Sequence, residues 1–209
     1  DFEKVLDKAI ELSEWNDFKT RKENSQNKGR IRGRGISCYI EWTGAIWFEE
    51  VTTEARADGR VVLYTGTQNM GQGLKTAFTQ LLSQQLELPV GKIEIVQGDT
   101  DLVKGKGSVG SRSLYIGGSA IKEGAEKFLE ENRKLAAEAL EAAQEDLVYK
   151  AGTFTVSGTN IGIGLGEIAK NQPQQKVSVY SKTTLTSRSS TGCPSWPNAV
   201  SYTHLRAHE

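Results

Sequence analysis

Two stretches of the chain hold residue types suited to gripping an anion. The first is Gly66-Thr67-Gln68-Asn69-Met70-Gly71-Gln72-Gly73, placed directly before an apolar-periodic run. Glycines let backbone N–H groups approach a ligand without a Cβ in the way, and a helix N-terminus adds positive partial charge. Gln72 can donate through its amide and Thr76 through its hydroxyl one turn later. The second stretch is Gly105-Lys106-Gly107-Ser108-Val109-Gly110-Ser111-Arg112-Ser113, running on to Gly117-Gly118. Here Ser111 and Ser113 flank Arg112, whose planar fork matches a phosphate. Each stretch alone has a plainer reading. The first could be a tight strand-to-helix turn, and the second a helix cap beside a surface ion pair. Together they point to a pyrophosphate-bearing ligand held from two sides. Neither is a standard nucleotide motif. A P-loop needs Gly-Lys-Ser/Thr, and Gly73 is followed by Leu74-Lys75-Thr76. The dinucleotide fingerprint needs a third Gly where Thr76 stands.

The elements that must position these loops follow from periodicity. Leu74, Ala77, Phe78, Leu81, Leu82 and Leu86 fall at helical spacing, and KIEIVQ after Pro89 and Gly91 alternates as a strand does. With RVVLYTG before the first loop, residues 61–97 read as strand, glycine turn, helix, strand. Asp58-Gly59 predicts a hairpin from a strand near 49–57 into 61–65. A long amphipathic helix is expected over about 119–145, a hairpin turning at Ala151-Gly152, and a short helix in GLGEIAKN. Upstream, residues 1–18 read as an amphipathic helix and GISCYIEW as a strand. Lys19–Arg34, with seven basic residues and one acid, reads as a solvated linker. A nucleic-acid arm is the weaker reading, since no aromatic platform interrupts the charges. From Gln172 onward no periodicity is visible, and SYTHLRAHE looks like translated adapter sequence.

Composition narrows the classes. The chain has 209 residues, with 26 basic and 26 acidic side chains that cancel. That argues against a general polyanion binder. The two cysteines, Cys38 and Cys193, are far apart, which excludes a disulfide scaffold or cysteine-rich zinc site and suits a reducing cytosol. Both histidines, His204 and His208, sit in the terminal stretch, so no internal His-based metal site or Ser-His triad is expected. No apolar run approaches a membrane span. Ten of the 22 glycines lie between Gly66 and Gly118, so that quarter needs bare backbone. The only Met is Met70, so Asp1 is expected not to be a translation start and the chain reads as an internal piece.

At Gly71-Gln72-Gly73, Gln80, Gly98-Asp99-Thr100, Gly110-Ser111-Arg112-Ser113 and the Gly117–Ile121 run, in that order, the chain closely resembles a known family. It is the molybdenum-binding large subunit of the xanthine dehydrogenase, aldehyde oxidase and aerobic carbon monoxide dehydrogenase enzymes. The Gly-Ser-Arg-Ser form is more like the carbon monoxide dehydrogenase type. The resemblance covers roughly four fifths of the chain, from about Asp1 to about Asn171. It implies an α+β fold of mixed sheets with amphipathic helices, part of a molybdenum-binding domain. It also implies a molybdopterin cofactor, as the cytosine dinucleotide with Mo, contacted by Gly71, Gln72, Gly73, Thr76, Gly110, Ser111, Arg112 and Ser113. Oxidative hydroxylation of an aldehyde, N-heterocycle or carbon monoxide is implied for the parent protein. Electrons would pass to 2Fe-2S clusters and FAD on an iron–sulfur small subunit and an FAD-binding medium subunit. A cytoplasmic dimer of heterotrimers acting on a small-molecule substrate is the implied assembly, without nucleic acid.

The chain also departs from the family pattern. Leu74 stands where many members have His, and no catalytic or metal-ligating residue carries over. Glu41 and Asp99 read as structural, Asp99 as a turn former. The expected division is an N-terminal helix and basic linker (1–28), a partial molybdopterin-binding domain (29–171) and a degraded or non-native tail (172–209), with 201–209 adapter-derived. The alternative function is a non-enzymatic nucleotide- or phosphate-binding module.

Overall fold

The computed structural model describes residues 2–36, 44 and 48–185. The chain divides into two compact units, 1–40 and 41–209.

The first unit holds α1 (Phe2–Leu12), a single 3-10 turn at Trp15–Asp17, and α2 (Phe18–Gln26). The stretch expected to be a linker therefore contains a second helix. Two of its basic side chains, Arg21 and Arg34, reach back across the turn. Arg21 donates to the carbonyls of Ser13 (2.7 Å) and Glu14 (2.8 Å). The Arg34 guanidinium lies 4.2 Å from the Trp15 ring centre and 4.5 Å from that of Phe18, a cation–π arrangement. α2 has no apolar stripe, but Lys, Arg, Glu and Gln are good helix formers. The expected strand in GISCYIEW lies outside the described residues.

The second unit begins with β1 (Phe48–Arg56), β2 (Val61–Thr65), α3 (Leu74–Leu86) and β3 (Ile93–Val96). A π-helical turn at Ser113–Gly117 then opens α4 (Gly118–Leu140). β4 (Leu147–Lys150), β5 (Thr153–Val156), β6 (Gly162–Gly164), α5 (Leu165–Lys170) and β7 (Lys176–Thr184) complete it. Four strands form one sheet in the order β3-β2-β1-β7, and β4-β5-β6 form a second, antiparallel sheet. This is the mixed α+β architecture expected. Both hairpins turn where the sequence places them. At Ala151 (φ +46°) and Gly152 (φ +85°), two successive left-handed residues give the tight reversal that matches strand twist.

The core lies between the larger sheet and its helices. Leu74, Phe78, Leu82 and Leu86 form one stripe of α3, and Ile121, Ala125, Phe128 and Ala136 one face of α4. Val51, Ala55, Val61 and Leu63 come from β1 and β2. Each fully buried large aliphatic or aromatic side chain contributes about 1.5–3 kcal/mol.

β7 falls in the stretch where the sequence shows no periodicity. It pairs antiparallel with β1 along its whole length, from Phe48↔Thr184 to Arg56↔Lys176. Its inward residues are Val177, Val179, Ser181 and Thr183, with Val179 half-buried and the others buried. Two of the four are hydroxylated, which blurs the apolar alternation a half-buried strand would otherwise show. Thr183 donates to Glu123 and Lys127 donates to Ser181, both from α4, which satisfies hydroxyls an apolar pattern would not contain. The expected adapter-derived residues 201–209 lie outside the described residues.

The position of both glycine loops is set by one feature of the sheet. β2 and β3 are adjacent and parallel, with Val61↔Ile93 through Tyr64↔Val96 in register. Their carboxyl ends therefore point the same way. The first glycine loop leaves β2 there, and the second leaves β3. In open α/β arrangements, ligands bind in the crevice outside such strand ends.

Candidate functional site

The two glycine loops cross. A Cβ built on Gly66 would sit 2.1 Å from the Gly105 Cα, and one on Gly105 would sit 2.1 Å from the Gly66 Cα. Only glycine at both positions permits this approach. The Gly107 N–H donates to the Gly66 carbonyl at 3.2 Å. Ser108 then clasps the first loop. Its Oγ accepts from the Gln68 N–H at 3.0 Å and donates to the Gln68 carbonyl at 2.7 Å, across forty positions of sequence.

Beneath the crossing lies a polar floor. Thr65 and Thr67 are fully buried with their hydroxyls 3.1 Å apart. Gln97, just past β3, donates through Nε2 to the Thr67 carbonyl at 2.8 Å. The C-terminal end of the π-helical segment closes over this floor, since a Cβ on Gly117 would meet Thr67 Cγ2 at 3.0 Å. A π-turn carries one residue more per turn than an α-helix, and such turns concentrate at functional sites.

Gly71, Gln72, Gly73 and Thr76 are exposed at the α3 N-terminus. Around Gly71 and Gly73 the space is open, with nothing within 4 Å of an added Cβ. The first helical amides have no intrahelical acceptor. The Leu74 N–H is taken by Asn69 Oδ1 at 3.2 Å, leaving those of Lys75 and Thr76 without one inside the helix. Gln72 is folded back on its own loop. Its Nε2 donates to the Gln68 carbonyl at 2.9 Å, and its Oε1 accepts from the Met70 N–H. On the second loop Ser111 is exposed, while Gly110 and Ser113 are half-buried. Ser111 has φ +53°, a left-handed conformation that strains a residue with a Cβ by about 1–2 kcal/mol.

Arg112 sits differently from the sequence expectation. Its side chain is completely buried. Nη1 donates to Glu49 Oε2 at 2.7 Å and to the Gly107 carbonyl at 2.8 Å, and Nη2 donates to the Phe48 carbonyl at 2.6 Å. These bonds occupy the guanidinium inside the protein, where it holds loop two against β1. It is not a surface ion pair either, because Glu49 is only 1% exposed. Burial favours this outcome, since a guanidinium withdrawn from water needs several acceptors.

Glu49 escaped the sequence reading, as did the Ser108 clasp and Gln97. A signal for Glu49 exists. It belongs to the inward series of β1 with Val51, Thr53 and Ala55, and a carboxylate at an inward position requires a partner. Asp99 behaves as expected of a turn former, accepting from the Asp101 N–H at 2.9 Å. Glu41 lies outside the described residues. Among the described residues, no group of three or more His, Cys, Asp or Glu is placed to hold a metal ion.

Two glycine loops are thus clasped together at parallel strand ends and lead into helices, with the Lys75 and Thr76 amides of α3 lacking an intrahelical acceptor. Comparison with known proteins places the chain in a family. A family model described as a molybdopterin cofactor-binding domain matches residues 8–205. The chain belongs to this family. Among curated relatives of this molybdopterin-binding chain, the 6-hydroxypseudooxynicotine dehydrogenase complex subunit gamma of Paenarthrobacter nicotinovorans is 35% identical over 170 residues, covering 81% of this chain and 21% of that one. The carbon monoxide dehydrogenase large chain of Hydrogenophaga pseudoflava is 29% identical over 167 residues, covering 74% and 21%. Among solved structures, reconstituted CO dehydrogenase from Oligotropha carboxidovorans aligns with a TM-score of 0.61 at 25% identity, covering 86% of this chain and 26% of that one. The molybdopterin-binding chain thus spans about a fifth of the length of the curated relatives it matches.

Proposed function

We propose that this chain is the cofactor-gripping part of a molybdenum hydroxylase large subunit. The observation that carries the reading is the meeting of the two glycine loops at the carboxyl ends of β2 and β3. Gly71, Gln72, Gly73 and Thr76 would hold the cofactor from one side, and Gly110, Ser111 and Ser113 from the other. Arg112 would contribute by fixing the second loop. The open space around Gly71 and Gly73 fits an anionic, hydrogen-bonding group that takes main-chain N–H donors. When bound, the molybdenum cofactor supplies the redox chemistry that oxidatively hydroxylates an aldehyde, N-heterocycle or carbon monoxide. This chain's part is to bind and orient it, since it contributes no acid, base or metal ligand to the proposal.

The cytosine dinucleotide form is supported by the likeness of Gly110–Ser113 to the carbon monoxide dehydrogenase type. A parent that works with an iron–sulfur subunit and an FAD subunit, in the cytoplasm and as a dimer of heterotrimers, follows from the same resemblance. Two relatives are named as the gamma subunit of a complex and as a large chain. Among the described residues, no helix is long and apolar enough to cross a membrane.

The test is the content of the purified parent protein. Molybdenum by mass spectrometry, pterin by fluorescence after oxidation and CMP released by acid hydrolysis are all expected. A parent with neither metal nor pterin refutes the proposal. Pterin without CMP refutes only the dinucleotide. Tight CMP binding by the 209-residue chain alone would favour a stand-alone nucleotide-binding module instead.

A further inference from the structure

We propose that the buried Glu49–Arg112 pair is a positioning device that sets the spacing of the two cofactor loops. This rests on the cofactor reading above and assigns it two residues that would act without touching the ligand. The two carboxylate oxygens of Glu49 face different ways, one toward loop two and the other along β1 beside loop one. Oε2 accepts from Arg112 at 2.7 Å. Oε1 accepts from the Glu50 N–H at 3.1 Å and lies 3.0 Å from where a Cβ on Gly66 would be. Glu49 therefore backs the first loop at its crossing point while anchoring the second. Arg112 completes the connection by holding the carbonyls of Gly107 and Phe48. Gly107 in turn donates to Gly66. Strand β1, loop one and loop two are thereby joined through one carboxylate and one guanidinium.

A buried ion pair is a poor choice if stability alone is at stake. Replacing both partners with apolar residues of similar volume is often neutral or stabilising, whereas removing one partner strands the other charge and destabilises. What apolar side chains do not reproduce is the directional fork that fixes Gly107, Phe48 and Glu49 in one geometry. Lysine does not reproduce it either, being a single point charge on a flexible stem. Arg112 also lies directly between Ser111 and Ser113, so any drift of its guanidinium moves both proposed cofactor contacts.

The experiment uses the intact parent enzyme with Glu49→Leu/Arg112→Met, Arg112→Lys and Ser108→Ala. It reads molybdenum and CMP per protomer, together with the thermal midpoint by circular dichroism. Positioning predicts that the double variant melts near the parent temperature yet loses about tenfold in cofactor occupancy, as when outer-shell support of a metal site is removed. Arg112→Lys is expected to lose occupancy as well. Ser108→Ala cuts the half-buried clasp at the same crossing and should lower occupancy while the protein still folds, with a modest fall in melting temperature from the two lost hydrogen bonds. Full loading of a folded double variant overturns the proposal. If the double variant does not fold, full loading in both Arg112→Lys and Ser108→Ala overturns it, and reduced loading in both supports it. A wild-type parent without molybdenum or pterin removes the cofactor reading itself, and the pair's role with it.

Discussion

Gly66→Ala tests the loop crossing directly. The new Cβ would lie 2.1 Å from the Gly105 Cα and 2.8 Å from its N. Both are backbone atoms, so no side chain can swing aside. Reaching an ordinary 3.4 Å separation requires the loops to part by about 1.3 Å. Such a displacement takes the Gly107–Gly66 bond, now 3.2 Å, out of hydrogen-bond range. It also strains both bonds of the Ser108 clasp, at 2.7 and 3.0 Å. At roughly 1 kcal/mol net for each hydrogen bond, the loss is about 3 kcal/mol. Gly66 is not in the left-handed region, so the effect comes from contact and not from backbone preference. Gly71→Ala is the control. Gly71 has φ +103° but open space around it, and an alanine there should cost only about 1–2 kcal/mol of local strain. Urea unfolding followed by circular dichroism gives both values, and hydrogen exchange reports whether amides 105–110 lose protection. A Gly66→Ala loss below that of Gly71→Ala, with protection of 105–110 unchanged, would refute the crossing.

Two further predictions concern ionisable groups away from the site. Burial of Glu54 raises its carboxyl pKa, but hydrogen bonds from Ser178, Lys176 and Arg56 outweigh this and hold it below the usual value of 4.5. Its contribution to stability is therefore present above that value and lost as pH falls through the lowered folded pKa. Glu54→Gln should flatten the acid limb of stability against pH in urea titrations. Burial pushes the Tyr149 hydroxyl up to about 12, with the nearby Glu87 charge adding to the shift, and the group donates to the Leu86 carbonyl at 2.6 Å. Its contribution is complete below the ordinary value of 10 and is lost as pH rises through about 12. Tyr149→Phe should remove that alkaline loss, and phenolate absorbance should show one fewer tyrosine titrating late.

Much of this could be read from residue order, and the remainder could not for identifiable reasons. α3 was legible because Leu74, Phe78, Leu82 and Leu86 recur every fourth residue. The hairpins were legible from Asp58-Gly59 and Ala151-Gly152. β7 was not, because its inward positions include Ser181 and Thr183, which pair with α4 and hide the alternation. α2 was hidden by charge, since it has no apolar stripe and its Arg21 binds the carbonyls of Ser13 and Glu14 across the turn. The glycine loops were legible separately as backbone-exposing segments, but their crossing depends on β2 and β3 being parallel neighbours, which no local pattern reveals. Arg112 was legible as important, but not its buried partner. An Arg between two serines on a glycine loop looks aimed outward until its partner, Glu49, is found 63 residues away.

The parallel pairing of β2 with β3 also has a kinetic meaning. A parallel pair is joined only through a long crossover, here the whole of α3, so its closure entropy is incurred before the strands reward it. Neither glycine loop has its partner until that closure is complete, and Ser108 has nothing to clasp. The ligand-gripping surface should therefore be among the last parts of the fold to mature. A nascent chain would be unable to capture a cofactor early and trap it in a half-built fold. Loading would wait on the sheet, which makes completion of the β2–β3 pair a checkpoint between folding and the acquisition of chemistry.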